Sequence, residues 1–275
     1  NVLLNSFDID AIFSAIDKYK GFVMGAVPTL YVYMLLHPDP GKYDLSSMKY
    51  WFSGSAPLTR NTYDSFKEKF GGEIIEGWGL TEAGANNSVN PLSGMKKVGS
   101  IGLPMKGTQM KVADFNGNDL PAGEEGEILI SGPMLMKGYW NQPEATAEVL
   151  KKGWLHTGDV GYQDEDGYFF ITERKKDIII KGGENIAPRQ IEEVLYGHPK
   201  ISEAAVVGIK DNVYGEDIKA FVVLTPGETA DGAEIIEYCI TRLKRFKSPR
   251  EVTFLEALPK NLVGKILKKE LRKMG

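Results

Sequence analysis

The sequence predicts an α/β protein: a layered α/β region that ends in a small antiparallel β unit, followed by a small α+β domain. Three observations predict it. Strand-like and helix-like runs alternate over residues 8–76. Two dipeptides that favour positive φ, Asn116-Gly117 and Asp166-Gly167, sit among short β-prone runs in residues 98–174. From residue 177 helical and strand periodicities mix again.

Residues 8–18 set Ile9, Ile12, Phe13 and Ile16 at helical spacing, with Asp8 or Asp10 available as the amino-terminal cap. Residues 22–27 read as a buried strand, and Pro28, whose φ suits a first helical turn, opens a helix over 29–36. The rhythm continues with a strand at 48–53, a helix at 59–70 and a strand at 73–76. Hairpin strands follow at 111–115, 126–131 and 168–172. The last region reads as strand 178–181, helix 190–196, strands 204–209 and 220–224, and helix 233–246. On that final helix Ile235, Ile236, Cys239, Ile240 and Leu243 share a face, so Cys239 reads as a small core hydrophobe rather than a nucleophile.

Composition narrows the classes. With 275 residues, 42% hydrophobic content and a formal charge of −4, the chain is a globular protein of one or two domains, not a disordered acidic chain or a dedicated nucleic-acid binder. The segment 241–275 does carry eleven Lys or Arg against three Glu, but with no aromatic interleaving beyond Phe246 and Phe254 it reads as the polar sides of helices. One cysteine excludes an internal disulfide and fits a reducing cytosol; no Cys/His spacing suggests zinc. The longest uncharged apolar run, residues 22–36, is broken by Pro28 and falls short of the ~20 residues a membrane span needs. The amino terminus lacks a Met and any signal-like pattern, so the chain is expected to begin mid-protein.

Four constellations can carry chemistry. Ser53-Gly-Ser-Ala-Pro57 and Glu76-Gly-Trp-Gly-Leu-Thr-Glu82 are glycine-bearing turns after strands, where ligands settle in open α/β sheets. Glycine admits a flat ligand, Trp78 offers a stacking face, Thr81 a hydroxyl and Glu82 a carboxylate for Mg2+. Spacing alone equally allows two solvent turns, a core Trp and a capping Thr-Glu. Asp159, in Gly153-Trp-Leu-His-Thr-Gly-Asp159, and Arg174 could together grip a ribose, although a surface ion pair is the plainer reading. His156 reads as structural, since no carboxylate partner is fixed nearby. Gly182 and Gly183 could expose N–H groups to an anion or let a thin ligand pass. Lys265 follows a glycine and could neutralise a developing oxyanion.

In this order the motifs resemble the adenylate-forming (AMP-binding) acyl-CoA synthetase family, most of all its fatty-acid–CoA ligases. The matching stretches are those above together with Gly138-Tyr-Trp-Asn-Gln-Pro-Glu-Ala-Thr146, Ile171-Thr-Glu-Arg-Lys-Lys-Asp177, Gly183-Glu-Asn-Ile-Ala-Pro188 and Pro259-Lys-Asn-Leu-Val-Gly-Lys265, and they cover the whole chain. The family's phosphate loop would lie upstream of residue 1, which makes this chain resemble a carboxyl-terminal half, incomplete as a catalyst by itself. The resemblance implies that residues 1–176 are the back part of the large adenylating domain and 177–275 the small mobile domain. It implies an AMP-forming acid–thiol ligase acting on a carboxylic acid with ATP, Mg2+ and CoA. It further implies an adenine site at Ser55, Ala56, Pro57, Glu76, Gly77, Trp78, Gly79 and Leu80, phosphates near Thr81, Mg2+ on Glu82, and ribose on Asp159 and Arg174. Lys176 would be the hinge, Gly182 and Gly183 would lie beside the thiol of CoA, and Lys265 would bridge acid and α-phosphate. An adenylation domain serving a carrier protein and a non-catalytic binding fragment are the competing readings. Oligomeric state is left open.

Overall fold

The computed structural model describes residues 1–4, 7–114, 116–261 and 266–274. Two units emerge, Asn1–Thr157 with Gly161–Ile171, and Gly158–Val160 with Thr172–Gly275.

The first unit begins with α1 (Ile9–Tyr19), where the Asp8 carboxylate accepts from the Asp10 N–H and Ile12, Phe13 and Ile16 form the buried face. Strand β1 (Val23–Ala26) and helix α2 (Pro28–Leu36), with Pro28 in its first turn, follow in the expected places, but β1 is not the buried strand expected: it alternates exposed and half-buried residues, with Val23 exposed. After β2 (Tyr50–Ser53), Thr59 caps α3 (Arg60–Phe70) by accepting from the Thr62 N–H at 3.2 Å. Strand β3 (Ile74–Trp78) completes a parallel set in the order β1-β2-β3, to which β4 (Ser88–Val89) and β5 (Leu103–Pro104) add antiparallel. Beside this sheet, Phe13, Tyr31, Trp51 and Phe66 are buried in one cluster, with Phe66 edge-on to both Tyr31 and Trp51 at 5.1 Å.

A second, antiparallel sheet is built from β6 (Gln109–Ala113), β7 (Gly126–Ser131), β8 (Leu150–Lys151), β9 (Trp154–Gln163) and β10 (Phe169–Arg174), with helix α4 (Pro143–Val149) before β8. The hairpin expected around Asp166-Gly167 is present, with Gly167 at φ 86°. Phe115, the expected end of the 111–115 strand, lies outside the described residues. The Gly153–Asp159 stretch lies almost wholly on β9, and farther along that strand a glycine permits close approach: a Cβ on Gly161 would lie 1.9 Å from the Phe170 carbonyl oxygen.

The second unit pairs the hairpin β11 (Ile179–Lys181) and β12 (Glu184–Ile186) with β13 (Ile201–Asp211) and β14 (Gly215–Leu224), and β15 (Glu251–Phe254) adds parallel to β14. Helices α5 (Pro188–Tyr196), α6 (Gly232–Ile240) and α7 (Lys268–Arg272) accompany it. The helix expected over 233–246 stops at Ile240. There the Arg242 and Leu243 N–H groups both donate to the Cys239 carbonyl, which tightens the last turn, and a separate 3-10 turn, Arg245–Lys247, follows. The α/β class is as expected. Among the described residues no helix is long and apolar enough to cross a membrane.

Cys239 is fully buried in the second unit's core, and burial pushes its thiol up to about 11. Alkylation of the native protein near pH ~8 is therefore expected to run about a hundredfold slower than that of the unfolded chain. Iodoacetamide labelling with and without denaturant checks this, and equal rates would contradict the burial.

Candidate active site

Both turns of the first constellation leave the same end of neighbouring parallel strands, since Ser53 on β2 is in register with Glu76 on β3. They touch where they start: a Cβ on Gly54 would stand 3.2 Å from the Gly77 carbonyl oxygen. Ser55, Ala56 and Pro57 are exposed, and Ser55 holds a left-handed φ of 68°, a strained conformation for a side-chain-bearing residue. The second turn starts later than expected, because β3 runs on to Trp78 and pairs through Gly77 and Trp78 with Val89 and Ser88. Gly79 is then fixed by contact, since a Cβ there would lie 1.7 Å from the Ala85 carbonyl oxygen.

Asn87 locks this loop in a way the sequence reading did not foresee. Its side-chain oxygen accepts from the Leu80 N–H at 3.1 Å, and its amide donates to the Ala83 carbonyl at 2.6 Å. Glu76 is buried, and its carboxylate accepts from the Gly99 N–H at 2.7 Å, so this side chain braces the loop from beneath. Trp78 is half-buried and packs against two core clusters, one around Ala83, Ile130 and Leu155 and one around Val112, Ile128 and Phe169. Part of the core-Trp reading therefore holds alongside any stacking role.

Thr81 and Glu82 open a 3-10 turn, Thr81–Ala83, with Thr81 exposed. The Glu82 carbonyl accepts from the Met136 N–H at 2.7 Å, and its carboxylate accepts from the Tyr139 hydroxyl at 2.9 Å. Burial, and then Glu82 itself, raise the Tyr139 pKa, so the phenol stays a donor. Tyr139 was not singled out as a site residue, although it lies in the quoted Gly138–Thr146 stretch. Among the described residues no cluster of three or more His, Cys, Asp or Glu side chains forms a metal cage. One oriented carboxylate nevertheless fits Mg2+, which takes one or two protein carboxylates and fills its remaining positions with water and phosphate oxygens.

In the second unit, Arg174 Nε lies 2.5 Å from Asp159 Oδ1. The pair is not the surface pair that spacing suggests, for the Asp159 side chain is 1% exposed and that of Arg174 38%. Glu173 fixes the backbone beside it by accepting from the Arg174 and Arg189 N–H groups, and burial raises its carboxyl above the ordinary range. Lys176 is exposed in the short 3-10 turn Lys175–Asp177, and the Asp177 carboxylate is held by Arg272 at 2.6 Å. Gly182 and Gly183, at φ 57° and 85°, form the two-residue turn of the β11–β12 hairpin. The Gly182 N–H donates to the Tyr214 carbonyl, so it is not offered to an anion, whereas a Cβ on Gly183 would meet open space. His156, in the first unit, finds the partner sequence could not supply, Glu127 at 3.0 Å. Lys265 lies outside the described residues.

Comparison with known proteins decides the family. The model of the AMP-binding enzyme family matches residues 2–140, about half the chain. The chain belongs to the AMP-binding enzymes. The C-terminal domain model of AMP-binding enzymes also matches, at residues 190–265. A long-chain-fatty-acid–CoA ligase of Bacillus subtilis (strain 168) is 46% identical over 271 residues, 98% of this chain and 48% of the relative. A feruloyl-CoA synthase of Amycolatopsis sp is 41% identical over 273 residues, 99% of this chain and 55% of the relative. Among solved structures, ATP-bound MatB from Rhodopseudomonas palustris superposes with a TM-score of 0.92 at 35% identity, covering 99% of this AMP-binding chain and 54% of that one. The chain spans about half the length of the curated relatives it matches.

Proposed function

We propose that this chain serves an AMP-forming acid–thiol ligase, which activates a carboxylic acid, a fatty acid by preference, to an acyl-adenylate and transfers it to CoA. The observation that carries the reading is the pair of turns leaving β2 and β3 side by side, next to a Glu82 carboxylate aimed by Tyr139. In this reading residues 1–176 are the back part of the adenylating domain and 177–275 the small mobile domain. The fatty-acid preference is supported by the name of the Bacillus subtilis relative.

The chain's residues divide the work. Ser55 to Pro57 and Gly77 to Leu80 border adenine, with the half-buried Trp78 offering its ring as the stacking face. Asp159 accepts from the ribose hydroxyls, while Arg174 holds the carboxylate in place and keeps other N–H groups for ribose or phosphate oxygens. Thr81 donates to phosphate. Glu82 would hold Mg2+, which when bound offsets the negative charge of the triphosphate against that of the incoming acid. Lys265, by resemblance, adds an ammonium at the α-phosphate as the acid oxygen attacks and pyrophosphate leaves. In the second step the CoA thiol loses its proton to solvent and its sulfur attacks the acyl carbon, the single bond from that carbon to the phosphate oxygen breaks so that AMP leaves with its electrons, and the Gly183 turn leaves room for the thiol arm.

Lys265 serves one step and obstructs the other, so the small domain has to turn between them, and Lys176 is the proposed pivot. Lys176→Pro, which fixes φ at that point, is expected to permit one half-reaction and block the other, with Lys176→Ala close to wild type. Unchanged rates in both half-reactions would refute the pivot. A panel of carboxylic acids in a pyrophosphate-release assay on the complete polypeptide tests the function, and CoA-dependent AMP release separates a CoA acceptor from a carrier protein.

A further inference from the structure

The second unit buries a lysine that the mechanism above leaves without a task. Lys181 is the last residue of β11, directly before the Gly182-Gly183 turn. Its Nζ lies 2.6 Å from Asp217 Oδ1, and the two side chains are only 8% and 7% exposed. Two rings complete the enclosure, Phe246 with its centroid 5.0 Å from the ammonium and Tyr214 at 5.6 Å. Those rings also crowd the turn: a Cβ on Gly182 would stand 3.3 Å from Tyr214 and 3.5 Å from Phe246. The Gly182 N–H is tied to the Tyr214 carbonyl at 2.9 Å. Asp217 is itself fixed, since its Oδ1 accepts from the Ile218 N–H at 2.8 Å. Beside them Lys181, Tyr214, Asp217, Phe246 and Arg250 line a hollow of about 470 Å3, so close packing alone does not brace this end of the hairpin.

A buried ion pair is a poor source of stability, because desolvating two charges cancels most of what their attraction returns, and a well-packed neutral pair of similar size often serves the fold as well. What such a pair supplies is a fixed distance and direction, strengthened here by the ring faces turned to the cation. We infer that Lys181 is a positioning residue: held by Asp217 between Tyr214 and Phe246, it fixes where the Gly182-Gly183 turn stands during thioester formation. The inference rests on the ligase reading, in which that turn borders the path of the thiol. It gives Lys181 no part in forming the adenylate.

The test is the double variant Lys181→Met/Asp217→Asn in the complete polypeptide, which removes both charges together; Arg250, 3.8 Å from Asp217, keeps its closer partner Asp211 at 2.5 Å. Thioester formation from supplied acyl-adenylate and CoA is expected to fall by about ten- to a hundredfold, the cost of a misplaced group at a reacting centre. The loss should fall on kcat rather than on KM for CoA, with pyrophosphate exchange and Tm unchanged. Unchanged thioester formation would overturn the inference, as would a loss of both half-reactions in proportion to a drop in folded protein. Gly183→Leu separates the two levels of the argument. If it blocks the second step while the double variant does not, only the role of Lys181 falls. If it blocks neither step, the turn is not on the thiol's path and the ligase assignment of Gly183 falls with the inference.

Discussion

Lys265→Ala is expected to lower acid-dependent pyrophosphate exchange by about a thousandfold, the scale seen when a group that stabilises developing oxyanion charge is removed, while thioester formation from supplied acyl-adenylate continues. The asymmetry follows from charge. In the first step an anionic acid meets a triphosphate, and an ammonium at the α-phosphate relieves repulsion that grows toward the transition state. In the second step a thiol meets an ester-like anhydride and no such repulsion has to be overcome. Exchange kinetics and a single-turnover thioester assay on one preparation measure both steps. Equal loss of the two would remove Lys265 from the role that resemblance assigns to it.

The largest structural effect is expected at Gly79. A Cβ there would lie 1.7 Å from the Ala85 carbonyl oxygen, 2.4 Å from its carbon and 2.8 Å from the Asn86 Cα, all backbone atoms. They cannot move alone, because the Ala85 N–H donates to the Leu80 carbonyl, the Asn87 N–H donates to the Trp78 carbonyl, and the Asn87 side chain closes the same loop. Gly79→Ala should therefore cost about 3 kcal/mol or more of stability, as overpacking against a fixed backbone does, and should weaken ATP binding with it. Gly71→Ala is the control. Gly71 has φ 69° with open space at its Cβ position, so only conformational strain of about 1 kcal/mol is expected. Denaturant unfolding of both variants compares them, and a smaller loss at Gly79 than at Gly71 would contradict the steric account.

Local chemistry made much of this fold legible. Asp8, Pro28 and Thr59 start helices where their side chains or ring satisfy a first turn, and those helices form where expected. Glycine was the ambiguous signal. At Gly167 it marks a turn, whereas at Gly77 and Gly161 it sits inside a strand beside a neighbouring backbone, where a Cβ would stand a tight 3.2 Å from the Ser88 carbonyl oxygen at Gly77 and an impossible 1.9 Å from that of Phe170 at Gly161. That difference depends on residues brought near only by folding, which explains why the end of β3 was read as a turn. The candidate site divides in the same way. Motif residues could be named from sequence, but their holders could not: Tyr139 reaches Glu82 across 57 positions, Glu127 reaches His156 across 29, and Asp217 lies 36 positions from Lys181. No periodicity encodes such pairs. The burial of Asp159 was equally hidden, since a carboxylate beside glycine gives no sign of being covered.

The most direct measurement of the central claim is a single-turnover experiment on the complete polypeptide with Mg-ATP and a fatty acid, CoA being withheld and then added. The account predicts that pyrophosphate appears in proportion to enzyme only when the acid is present, and that AMP is released only after CoA arrives. Pyrophosphate formed without acid, or AMP released at the same rate with and without CoA, would contradict it.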